Sequence, residues 1–290
     1  MKNKLKNVLK NFKISCSFYL VNFFISEDRK KKFTKDFNIL LKKLNKKENF
    51  AFSRFSDGEL FILQNKKLII SLKYWLVGDK KINANFSKDD QKEFLPSKHQ
   101  FYRQKLISSL TFKKKNYFKG ISCTCCNGKK QVKYMKYLAN NDINLTFSNL
   151  LQNGNYHLFM EKMLKIFSKK KIILIANKNH NHLKLPFKVK KKFSIGINCF
   201  INDYSKIKNI KNFIRKNKIK NHIFLFQASS LSNILIYELF RDYDKNTYID
   251  IGSTLNPYYN ESLLSKSRSY LSEYWLRDRS SKHLKKKCYW

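Results

Sequence analysis

From about residue 50 to residue 252 the chain alternates short apolar runs with longer amphipathic stretches, and that alternation leaves few folds open. Runs such as "KKIILIAN" and "HIFLFQA" are apolar almost without interruption. A strand of that kind is buried on both faces, the condition of a strand inside a parallel sheet covered by helices. Further strands are expected at "NFAFSRFS", "YFKGISC", "INLTFSN", "KFSIGIN" and "TYIDIG". Between them, stretches such as "GKKQVKYMKYLAN" set Val132, Met135 and Leu138 at helical spacing. The segment from Ser87 to Leu110 reads as helix interrupted near Pro96. The expectation is an α/β fold: a Rossmann-like, doubly wound, mainly parallel sheet spanning residues 45–260. Residues 1–44 form a basic, helical N-terminal extension to it, and residues 261–290 a basic helical tail.

The 290 residues carry 61 Lys and Arg against 20 Asp and Glu, a formal charge of +41. Such a balance suits nucleic acid, an anionic membrane or a phosphorylated ligand. It equally suits a solvated background, because lysines run from Lys2 to Lys287 in company with abundant Asn, Ile and Phe. A nucleic-acid-binding protein is the alternative function, with Phe52, Phe55 and Phe61 beside lysines as stacking candidates. No common nucleic-acid-binding pattern accompanies them, and these aromatics fall where a core needs them. The stretch "ISCSFYLVNFFI", Ile14 to Ile25, is shorter than the ~18 residues a membrane-spanning helix requires. It reads either as an amphipathic helix on an anionic membrane surface or as a helix packed on the domain. The expected location is cytoplasmic, with peripheral attachment at the inner membrane surface as the variant that the first reading adds. Six cysteines are too few and too clustered for a disulfide framework, and "CTCC" lacks the second ligand pair of a structural zinc site.

Open α/β sheets bind ligands beyond the carboxyl ends of their strands. Small and polar residues collect there: Arg54, Asp57 and Glu59, then Asn149, Asn198, Ser229 and Ser230, and finally Asp250. The serines of "QASSLSN" open a helix, a resting place for phosphate or simply an N-cap. In "SRFSDGELFIL", Asp57 and Glu59 supply two hard oxygen donors suited to Mg²⁺ or Mn²⁺ shared with a diphosphate, and Arg54 offers a planar fork. The same residues also form a capping box, with Ser56 at the N-cap and Glu59 reaching back to its N–H.

Together, "FSRFSDGELFIL" and the later segments "LTFSNLLQN", "KKIILIANKN" and "HIFLFQASSLSNILIYELFRDYDKNTYIDIG" resemble the GT-D-type glycosyltransferases over about residues 48–260. The resemblance implies that Asp57 and Glu59 are the D-x-E pair binding Mn²⁺ or Mg²⁺ and the donor diphosphate. It makes Arg54 a donor-site residue, faces Ser229 and Ser230 toward a nucleotide-sugar, and sets Asn149 and Asn198 on the same rim. Asp250, in the Asp-Ile-Gly closing the last strand, becomes the candidate base or, equally, a buried aspartate bonded to backbone N–H groups. The implied reaction is hexosyl transfer from a nucleotide-diphosphate sugar, uridine-based, to a hydroxyl of a glycan, lipid-linked or protein-linked acceptor. Two departures stand out: Ala228-Ser229-Ser230 replaces a common Gly-Pro-Thr, and "STLNPYY" follows Asp-Ile-Gly where His and acidic residues are usual.

Overall fold

The computed structural model describes residues 27–70 and 91–259. The stretch at 14–25, read as a membrane-surface or a packed helix, and the basic tail at 261–290 lie outside the described residues. Seven strands form one sheet: β1 (Ala51–Phe55), β4 (Tyr117–Ile121), β5 (Leu145–Phe147), β6 (Ile172–Asn177), β7 (Val189–Ile195), β8 (Ile223–Gln227) and β9 (Thr247–Asp250). Their order is β5-β4-β1-β9-β8-β6-β7, and every neighbouring pair is parallel. The doubly wound, mainly parallel sheet is therefore present.

Apolar alternation on the strands divides the core in two. Phe224 and Phe226 of β8 point to one face and Ile223 and Leu225 to the other. The first face is covered by α2 (Asp57–Leu63), α3 (Gln100–Thr111), α4 (Thr124–Leu138), α7 (Cys199–Asn202), α8 (Lys206–Lys216) and α9 (Ser229–Asp242). On the second face lie α1 (Glu27–Asn45) and a composite helical segment: α5 (Tyr156–Leu158), a π-turn (Phe159–Met163) and α6 (Leu164–Phe167). Phe52 and Phe55 are wholly buried, which removes them as stacking platforms.

Three expectations are revised. The N-terminal extension assigned to residues 1–44 contains α1, whose Phe33, Phe37, Leu40 and Leu44 recur at helical spacing and are buried in the second core. The domain therefore starts before residue 45. Of the helix expected over Ser87 to Leu110, the described part from residue 91 is helical from Gln100. Ahead of it, β3 (Lys92–Phe94) pairs antiparallel with β2 (Leu68–Ile70), burying Leu68, Ile70 and Phe94 in the period of two that a strand dictates. Finally, α4 starts at Thr124 and bends at Gly128, whose φ is +77°.

Two features explain how the strands pack. A Cβ on Gly120 would lie 2.8 Å from the Phe147 carbonyl oxygen, so β4 can approach the end of β5 only without a side chain there. In the same strand Lys119 is fully buried, pairing with Asp142 at 2.6 Å and donating to the Leu110 and Phe112 carbonyls at 2.9 Å. Burial lowers its pKa, opposed by Asp142.

Candidate active site

The strands β1, β9 and β8 are neighbours, and their carboxyl ends deliver Arg54, Asp250 and the turn into α9 to one place. Immediately after β1, Ser56 caps α2. The Ser56 N–H donates to Glu59 Oε2 at 2.9 Å, and the capping box is formed as its spacing requires. The other oxygen of the same carboxylate accepts from the Ser230 hydroxyl at 2.6 Å. Glu59 thereby joins two motifs that are 171 positions apart. A second tie runs beside it: the Asn233 amide donates to Ser53 Oγ at 3.0 Å and to the Arg54 carbonyl at 2.7 Å. Asp57, the first residue of α2, is half-buried at the rim.

The Arg54 guanidinium donates from Nε to the Ser148 carbonyl at the end of β5. Its other flank meets Gly252. That residue has φ +46°, and a Cβ there would collide with Arg54 Nη1. Glycine is required on both counts. The Gly252 N–H in turn donates to Asp250 Oδ1 at 2.9 Å. Asp250 is 6% exposed, and burial pushes its pKa up to about 7; Arg54 pulls it down, while Glu59 pushes it further up. Its geometry is that of a carboxylate anchored by the backbone beside an arginine.

Ser229 stands at φ +49°, and its hydroxyl is buried with no hydrogen-bond partner among the described residues. A non-glycine residue in that region costs about 1 kcal/mol or more, and such strain gathers at functional positions. Asn149 follows Ser148 on the β5 side of the same rim, its carbonyl accepting from the Gln152 N–H at 2.8 Å. Asn198 is elsewhere: it lies beyond the edge strand β7, where its side chain accepts from the Glu93 N–H at 3.0 Å and its own N–H donates to the Gln91 carbonyl at 2.8 Å. It ties the β2–β3 hairpin to the domain. The structure thus brings Arg54, Glu59, Ser230 and Asp250 together, with Asp57, Ser229 and Asn149 around them and Asn198 apart.

Sequence reasoning missed a supporting layer. Gln227 donates to the Gly252 carbonyl at 2.7 Å and accepts from the Tyr259 hydroxyl, while Tyr259 stacks on His180 with ring centroids 4.4 Å apart. His180, in a loop rich in Asn and Lys, is nonetheless only 8% exposed, with Tyr259 stacked over it. Burial, aided by Lys192, depresses its pKa to about 4. The signal for this layer was the "NPYY" replacing the usual polar residues after Asp-Ile-Gly.

The donor set bears directly on metal binding. Among the described residues no group of three or more His, Cys, Asp or Glu forms a preformed cage. Asp57 fits a hard cation that keeps waters and is completed by substrate phosphates. Glu59 has both oxygens engaged by Ser56 and Ser230, so it stands behind Asp57. The side chains of Cys125 and Cys126 lie outside the described residues. Among those residues, no helix is long and apolar enough to cross a membrane.

No family model and no curated protein matches the chain. A solved structure of the domain of unknown function 1792, in its selenomethionine form, aligns with a TM-score of 0.50 at 13% identity, covering 75% of this chain and 77% of that one. The chain shares the fold of that domain. A second solved structure, described as showing that this highly conserved domain has a distinct glycosyltransferase fold, aligns with a TM-score of 0.47, also at 13% identity and with the same coverage.

Proposed function

We propose that the protein is a glycosyltransferase that moves a sugar from a nucleotide-diphosphate donor to a hydroxyl of a glycan or glycoconjugate acceptor. The observation that carries this reading is the direct bond between Glu59 of the D-x-E turn and Ser230 of the β8–α9 turn. It joins an acidic corner to a helix start, the two parts that a cation-associated diphosphate needs. The fold shared with domain 1792 supports it at the level of architecture.

In this reading the diphosphate rests at the start of α9, where the positive end of the helix dipole and the Ser229 hydroxyl face it. Arg54 supplies positive charge beside it, and its guanidinium is oriented beforehand by the Ser148 carbonyl and the bare Gly252 backbone. Mg²⁺ or Mn²⁺, held by Asp57 with Glu59 behind it, would neutralise charge growing on the leaving diphosphate. Asp250 acts on Arg54 rather than on the acceptor, because its carboxylate is buried and held by the Gly252 N–H. The donor is read as a uridine diphosphate sugar from the family resemblance alone.

Binding is the first test. A ligand selective for the folded state at about a hundred times its Kd adds about 2.7 kcal/mol of stability. A panel of nucleotide-sugars with and without Mn²⁺ should therefore contain at least one that raises Tm only when the cation is present. A panel with no stabilising member, under either condition, contradicts the reading.

A further inference from the structure

Among the described residues the positive charge is not evenly spread over the ends of the sheet. Loops entering the strands at the amino end carry Lys46 and Lys47 before β1, three consecutive lysines at 113–115 before β4, three more at 169–171 before β6, and Lys218 and Lys220 before β8. All but Lys114 and Lys170 are exposed. The nearby acids are already committed: Glu48 pairs with Lys43, Asp244 with Lys114, and Asp142 with the buried Lys119. The described carboxyl-end loops, by contrast, mix the two signs evenly, Asp57, Glu59, Asp203 and Asp250 against Arg54, Lys178, Lys184 and Lys206.

The amino face also presents apolar side chains to solvent. Ile143, in the turn between α4 and β5, is 96% exposed, and Tyr137 in the last turn of α4 is 75% exposed. Between the 113–116 and 141–144 turns lies an open cavity of about 510 Å³ lined by Lys113, Lys115 and Ile143 among others. It has room for a phosphate group.

We propose that this amino-terminal face docks on an anionic lipid bilayer, with the lysines meeting headgroup phosphates and Ile143 and Tyr137 entering the interface. Charge complementarity is the first argument: each lysine close to an anionic leaflet adds to binding. Shape is the second. At ~4.8 Å between strands, the seven-stranded edge is a face roughly 30 Å wide, not a groove that would track a nucleic-acid backbone. The third is Ile143, a protruding aliphatic side chain that gains from the acyl boundary and gains little from phosphate or base. Docked in this way, the molecule holds the carboxyl-end site facing away from the bilayer. The proposal stands independently of the reaction assigned to that site.

The test is co-sedimentation of the full chain with phosphatidylcholine vesicles, neutral or containing about a third phosphatidylserine. The expected result is strong preference for the anionic vesicles, lost as salt rises. Lys113→Glu with Lys115→Glu should weaken vesicle binding at least about thirtyfold, the loss of two lysines alone. Ile143→Ser should weaken it several-fold with the salt dependence unchanged. A charge-matched control, Lys162→Glu with Lys208→Glu, changes exposed lysines on the helical flanks and should have less than about a twofold effect. All of these positions are exposed, and equal thermal stability of the variants confirms folding. Equal loss in the two double variants, no loss in either, or no preference for anionic vesicles overturns the proposal. So does an oligonucleotide that displaces the protein from vesicles and whose own binding falls in the amino-face variant.

Discussion

Gly252 shows how a residue without a side chain controls one that has a large one. Its left-handed backbone and missing Cβ leave the space that the Arg54 guanidinium fills. Gly252→Ala should cost about 1–2 kcal/mol in stability from backbone strain. Arg54, being the end of a flexible side chain, swings away from the Ser148 carbonyl to relieve the clash. The expected outcome is nucleotide-sugar affinity reduced by more than tenfold, about 1.4 kcal/mol, in a calorimetric titration of a variant that still melts cooperatively. His180 is the second residue with a measurable consequence. Its folded pKa of about 4, below the ordinary 6.5, means that the folded chain binds fewer protons than the unfolded chain between those values. Its contribution is therefore complete above about pH 6.5 and is lost as pH falls through 4, a swing of about 3 kcal/mol. His180→Phe keeps the ring on Tyr259, so its denaturation midpoint should vary less than the wild type's over that range. Unchanged pH dependence in the variant would show that the ring is not buried as described. Asp250 contributes with the opposite sign, since its folded pKa of about 7 lies above the ordinary carboxyl value. The stability it gives is present at acid pH and lost as pH rises toward 7.

At the level of elements, close approach is as informative as burial. Gly120→Ala would press a methyl group against the Phe147 carbonyl and the Ser148 Cα, 2.8 and 2.9 Å away. An overpacked contact of this kind costs about 1–3 kcal/mol. Because Ser148 also accepts from Arg54, the same change should lower donor affinity, and a urea titration beside a binding measurement tests both effects. Elements also mark where the sequence was legible. The parallel sheet could be read because β6 and β8 are apolar on both faces, a pattern with few alternative meanings. The β2–β3 hairpin could not, since three-residue strands give too short an alternation to compete with the helical spacing that follows. The capping box at Ser56 and Glu59 was visible from local spacing alone. Its bond to Ser230 was not, because only the fold makes neighbours of residues so distant in the chain. For the same reason the bonds of Asn233 to Ser53 and the Arg54 carbonyl are not legible in local sequence.

The whole molecule separates two chemistries at opposite ends of one sheet. The carboxyl end gathers a compact group of acids around a fixed arginine, and the amino end displays lysines whose acidic neighbours are already paired. The net charge of +41 is thus a poor guide to the site itself, where Asp57, Glu59 and Asp250 outnumber Arg54. In the proposed reaction this carboxyl-end group handles a nucleotide-sugar through Asp57. Release of nucleoside diphosphate from a stabilising nucleotide-sugar, followed with and without Mn²⁺ in the wild type and in Asp57→Asn, tests it most directly. The expected result is turnover that requires the cation in the wild type and falls at least about a hundredfold, roughly 2.7 kcal/mol, in the variant. Turnover and cation dependence unchanged in Asp57→Asn would contradict it.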